Sequence, residues 1–127
     1  MKGDAPDGPA PDGSAPDGSA PDGPAYDRSM LVKLFGDDAA TLAEIERDFL
    51  ETARGAEKEI AGTEDCDTIA RAAHQLKGAS GMIGAVALGR LAEALENAAK
   101  AFDLKAVRRL HGELTREVQR VARQVGA

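Results

Sequence analysis

The stretch Ile69-Ala70-Arg71-Ala72-Ala73-His74-Gln75-Leu76-Lys77-Gly78-Ala79-Ser80-Gly81-Met82-Ile83 decides how this chain is read. With Ile69 at zero on a helical wheel and about 100° per residue, Ala73, Leu76, Ser80 and Ile83 fall within about 40° of it. That is the stripe of a helix packed on one side. His74 falls at about 140°, on the far side, with Ala70, Lys77, Gly78, Gly81, Arg71 and Met82 spread around it. A mid-helix histidine therefore faces water among small neighbours. Each glycine in a helix interior costs about 1 kcal/mol relative to alanine, so Gly78 and Gly81 together concede about 2 kcal/mol. Close approach of another molecule to the imidazole is the compensation this pattern implies.

The flanking sequence supplies the other walls of a bundle. No proline follows Pro24, and the remainder is rich in Ala, Leu, Glu, Arg and Lys, all good helix formers. Asp27 is placed to cap a short first helix that reaches Phe35 and stops at Gly36. Asp37 or Asp38 caps a second helix, whose apolar stripe is Leu42, Ile45, Phe49, Ala53, Ala56 and Ile60. Gly62 closes it. The third helix runs from about Cys66 to Ile83 and ends at Gly84. The fourth carries Leu88, Leu91, Ala92, Leu95, Ala98 and Ala99. Asp103 opens the fifth, with Val107, Leu110, Leu114, Val118, Val121 and Val125. Four long amphipathic helices with short connections predict an all-α fold: an antiparallel four-helix bundle with a short extra N-terminal helix as a lid. A long isolated coiled coil is the alternative, opposed by the regular Gly and Asp breaks.

Ahead of the bundle lies a tract of different composition. All six prolines fall within the first 24 residues, and Ala5 to Pro24 is four copies of Ala-Pro-Asp-Gly-(Pro/Ser). Pro-Asp-Gly is turn chemistry, and no large apolar side chain stands between Lys2 and Tyr26. Such a tract cannot bury enough surface to offset its ordering entropy, which predicts a disordered linker over 1–25 and a folded domain over 26–127. A flexible chain of that length spans roughly 25–30 Å.

Composition removes several classes of function. The net charge of −6 gives no basic face for nucleic acid. No apolar run approaches the ~20 residues needed to cross a bilayer, and no leader marks secretion, so a cytoplasmic protein is expected. The single cysteine, Cys66, excludes an internal disulfide, and no metal site is expected. His111 reads as a boundary histidine beside the stripe of the fifth helix, and Lys100 is left outside the site. What remains is His74. A neutral imidazole is a good nucleophile near neutral pH, and Lys77 one turn on places an ammonium beside any negative group it acquires. On its own helix face His74 has no acidic neighbour within a turn. It also has no serine nucleophile and no second histidine at metal spacing. Hydrolysis and metal catalysis are poorly served; accepting and releasing a phosphoryl group needs only exposure, a cation and clearance.

Ala73-His74-Gln75-Leu76-Lys77-Gly78-Ala79-Ser80-Gly81-Met82-Ile83-Gly84 resembles the signature of histidine-containing phosphotransfer (HPt) domains: His-x-Leu-Lys-Gly, a small-residue stretch, then a glycine that ends the helix. Gly36-Asp37 before the second helix, Gly84-Ala85, Leu88, Leu91, Ala92, Leu95 and Glu96 in the fourth, and Asp103-Leu104 opening the fifth extend the resemblance over about residues 28–122. The resemblance implies a phosphorelay intermediate, with His74 as phosphoacceptor between a histidine kinase or receiver aspartate and another receiver aspartate. It further implies Lys77, and more weakly Gln75, as phosphoryl-stabilising residues. Gly78 and Gly81 give access, and Arg71, Ala70 and Met82 contact the partner. The chain itself is expected to bind no cofactor, to act as a monomeric carrier rather than an enzyme, and to use the Mg²⁺ of its partner receiver. The phosphoacceptor domain of a chemotaxis-type kinase and a non-phosphorylated helical adaptor are the competing functions. A linker placed ahead of the bundle weighs against the chemotaxis-type domain.

Overall fold

A computed structural model describes residues 23–126, and these form five helices and no strand. α1 is Arg28–Phe35, α2 Ala39–Ala61, α3 Cys66–Met82, α4 Val86–Lys100 and α5 Leu104–Val125. The four long helices form a ring in which each packs on its sequence neighbours and α5 returns to α2. With short connections this is the antiparallel four-helix bundle that the stripes predict.

Asp27 and Asp103 cap the helices the sequence assigns to them, Asp38 rather than Asp37 caps the second, and Asp65, not singled out in the sequence, caps the third. Asp27, Asp38, Asp65 and Asp103 each accept a backbone N–H in the first turn of α1, α2, α3 and α5. Hydrogen bonds to these N–H groups and to neighbouring hydroxyls hold Asp27, Asp38 and Asp65 below the usual carboxylate range, led by the Ser29, Thr41 and Thr68 side chains respectively. The core is aliphatic: Leu31, Leu42, Ile60, Ile69, Leu76, Leu88, Leu95, Val107, Leu114 and Val121 are all buried. Ser80 of α3 and Gly89 of α4 face each other where those helices approach closely.

α1 lies over the end of the bundle at the α3–α4 turn. The Asp27 N–H donates to Ile83 O at 3.0 Å. Gly84 turns there with φ +69, and a Cβ on it would sit 2.7 Å from the Asp27 Cβ. Glycine is required at this position both by conformation and by space.

The folded part begins earlier than residue 26. Ala25 is buried, and its N–H donates to Gln124 Oε1 of α5. Gln124 also donates to Tyr26 O, and Arg120 donates to Gly23 O. The Tyr26 hydroxyl is buried against the carboxylate of Glu46 on α2, and burial followed by that hydrogen bond pushes the phenol well above its usual range. Residues 23–25, read in the sequence as the end of the linker, lie as a strap against α5, where Arg120 holds the Gly23 carbonyl and Gln124 the Ala25 N–H. The rest of the predicted linker lies outside the described residues.

Candidate functional site

The site is built at the seam between α3 and α4. His74 stands in mid-α3 with its side chain 66% exposed. Its Nδ1 lies 3.0 Å from Oε2 of Glu96, which projects from α4 and is itself buried. Two ammonium groups share the same carboxylate: Lys77 Nζ is 3.2 Å from Oε1 and Lys100 Nζ is 3.0 Å from Oε2. One glutamate thus gathers a histidine and two lysines from two helices.

The electrostatics follow from that set. The Lys100 ammonium, with Lys77 and the imidazole, pulls the Glu96 carboxyl down to about 2, against the opposing effect of its burial. A carboxylate ionised at neutral pH only accepts hydrogen bonds, so a neutral His74 ring bonded to it carries its proton on Nδ1. Nε2 then keeps its lone pair. Among the described residues no hydrogen bond engages Nε2.

Arithmetic confined to α3 leaves His74 without an acidic neighbour; α4 supplies one, and with it Lys100. The signal was present on α4. Leu88, Ala92, Glu96 and Ala99 follow the buried stripe, so Glu96 occupies an apolar position.

The other predicted residues divide into three groups. Gly78 and Gly81 are exposed, and a Cβ built on either meets nothing within 4 Å. Arg71 and Met82 are exposed on the same outer face, whereas Ala70 is half-buried against the core and offers a partner little surface. Gln75 belongs to the opposite flank of α3, where it lines a shallow groove with Thr52, Gly55, Ala56 and Glu59 of α2. That placement separates it from the His74–Glu96 pair.

Apolar side chains stand in solvent on both sides of the α3–α4 turn and along α1. Met82 and Val86 are exposed, as are Val32, Leu34 and Phe35 on α1. Among the described residues no three His, Cys, Asp or Glu side chains converge as a metal site would require. None of the described helices is long and apolar enough to cross a membrane.

The site is thus one exposed, carboxylate-bound histidine beside two lysines and open glycines on a helical bundle. Residues 29–124 match the family model of the Hpt domain, and the chain belongs to that family, a histidine phosphotransfer module of phosphorelays. No curated protein and no solved structure matches it.

Proposed function

We propose that His74 is the phosphoacceptor and that it reacts through Nε2. The observation that carries this is the bond from Nδ1–H to Glu96, which leaves the exposed nitrogen as the nucleophile. The Nε2 lone pair attacks phosphorus of a receiver aspartyl phosphate. The N–P bond forms, the P–O bond breaks, and the aspartate carboxylate leaves with the electron pair. Because Nδ1 keeps its proton, the phosphorylated ring is formally an imidazolium, and Glu96 stabilises that positive charge as a carboxylate does beneath a catalytic histidine. Lys77 and Lys100 offset the phosphoryl charge. In the return step an aspartate of a second receiver attacks phosphorus and the electron pair returns to Nε2.

On this reading the chain is a carrier with no independent catalytic site, exchanging phosphoryl groups with receiver domains and a histidine kinase. Mg²⁺ is supplied by the receiver, no cofactor is held by the chain itself, and it works as a monomer in the cytoplasm. The exposed apolar side chains Met82 and Val86 at the α3–α4 turn, with Val32, Leu34 and Phe35 exposed on α1, support a protein partner rather than a small metabolite. The test is transfer from a phosphorylated receiver followed by ³¹P–¹⁵N NMR of the product. Phosphorus bonded to His74 Nε2 is expected. Phosphorus on Nδ1, or on any other residue, overturns the assignment.

A further inference from the structure

The α4–α5 turn places an aromatic residue where glycine is usual and leaves its ring in solvent. Phe102 has φ +57 and is the one non-glycine residue with positive φ among those described. The turn is a full Schellman motif: Phe102 N–H donates to Ala99 O and Asp103 N–H to Ala98 O, both at 2.9 Å. The left-handed position of that motif is ordinarily glycine, because a Cβ crowds the following carbonyl. Phe102 is nonetheless there, with 75% of its surface in solvent. The chain has only four aromatic residues; Tyr26 and Phe49 are buried and Phe35 is exposed at the end of α1. A strained residue that also exposes a ring has no compensation inside the molecule, and strain of this kind points to function.

We infer that Phe102 is an anchor for the receiver domain that exchanges phosphoryl groups with His74. This rests on the reading of His74 given above. The occupant follows from continuity with the site. Phe102 is two residues beyond Lys100, whose ammonium is bonded to Glu96. Along α4 the step from Glu96 to Phe102 is about 9 Å. A standard interface of about 800 Å² per partner covers a disc of about 16 Å radius. A receiver centred on the His74–Glu96 pair therefore has the α4–α5 turn within that radius. Aromatic side chains with few rotatable bonds are over-represented among residues that dominate binding.

The test compares wild type with Phe102→Gly and Phe102→Leu, using two donors: a phosphorylated receiver, and phosphoramidate, which needs no docking. Glycine accepts the left-handed conformation, so Phe102→Gly is expected to melt at or above the wild-type temperature. Its half-saturating receiver concentration should rise about tenfold, while its labelling relative to wild type with phosphoramidate should not fall in step. Phe102→Leu keeps an apolar group and should lie between the two. Equal receiver kinetics in wild type and Phe102→Gly overturn the proposal. So does a slower variant that has lost melting temperature, since the ring would then act through the fold. Concentration-dependent dimerisation abolished by Phe102→Gly overturns it too, by making a second copy the occupant. Absence of labelling at His74 with either donor in the wild type is a different result, and it defeats the phosphoacceptor reading itself.

Discussion

The two histidines of this chain carry opposite tautomers for structural reasons, and the contrast separates a reactive side chain from a cross-brace. His74 uses Nδ1 to reach a carboxylate below the surface and leaves Nε2 outward. His111, half-buried on α5, places Nε2 3.0 Å from the Glu57 carbonyl oxygen of α2. A carbonyl only accepts, so His111 Nε2 must carry the proton and has no lone pair to offer. Around each histidine the helices are arranged accordingly. The α3–α4 seam is open above Gly78 and Gly81. The α2–α5 seam is laced: Thr115 donates to Glu57 Oε2, and Arg108 donates to Ile60 O and Thr63 O at the C-terminus of α2.

The contrast is broken most decisively by substituting each histidine. His74→Gln should abolish labelling by a phosphorylated receiver while the melting temperature stays within a degree or two. His111→Gln should retain labelling and lose stability, on the order of 1 kcal/mol for one part-buried hydrogen bond. Labelled His74→Gln protein, detected by acid-labile phosphate, would reverse the roles assigned to the two seams.

Next in size is Glu96→Gln, which keeps an acceptor for Nδ1–H and removes the charge. Phosphoryl acceptance should fall on the order of 10–100-fold, the usual cost of losing a supporting group behind a reactive one. The same variant has a signature in acid. Glu96 titrates at about 2 in the folded chain against an ordinary 4.5, so its contribution to stability is complete above about pH 4.5 and is lost as pH falls toward 2. Glu96→Gln should therefore show a flatter decline of melting temperature across that window. The capping aspartates, also held low, keep their own share of the acid sensitivity in both proteins. Parallel curves would show that Glu96 is not ionised against its lysines.

The smallest effect on transfer is expected at the strap. Tyr26→Phe removes the hydroxyl that meets buried Glu46, a loss of about 1–3 kcal/mol, so the melting temperature should drop by several degrees with phosphoryl acceptance unchanged. A chain starting at Gly23 should melt within a degree or two of the full one, and a chain starting at Asp27 several degrees lower. Differential scanning calorimetry on the three proteins decides where the folded unit begins.

The bundle was legible because its signals are local. Asp27, Asp38, Asp65 and Asp103 stand immediately before the helices they cap, and Gly36 and Gly62 immediately after those they end. The face of His74 was legible for the same reason, since Ile69, Leu76 and Ile83 lie on the same helix. Glu96 and Lys100 were not, because their nearness to His74 depends on the register between α3 and α4, set by contacts such as that of Ser80 with the bare backbone of Gly89, which no single-helix wheel relates. The sequence does mark such places in one way. Glu46, Glu96 and Glu117 each interrupt an apolar stripe, and each is buried with a partner: Tyr26, the His74–lysine set, and Arg120. A glutamate on a core stripe calls for a partner from elsewhere. The strap was missed because Ala25 borders a low-complexity tract, and its hold on the bundle comes from Gln124, at the far end of the chain.

All the groups that touch the Glu96 carboxylate lie between His74 and Lys100, within one helical hairpin. In evolutionary currency, that makes the chemistry a cassette. The α3–α4 hairpin can be duplicated or recombined with its reactive apparatus intact, while α2 and α5 are free to drift so long as they cover its apolar back.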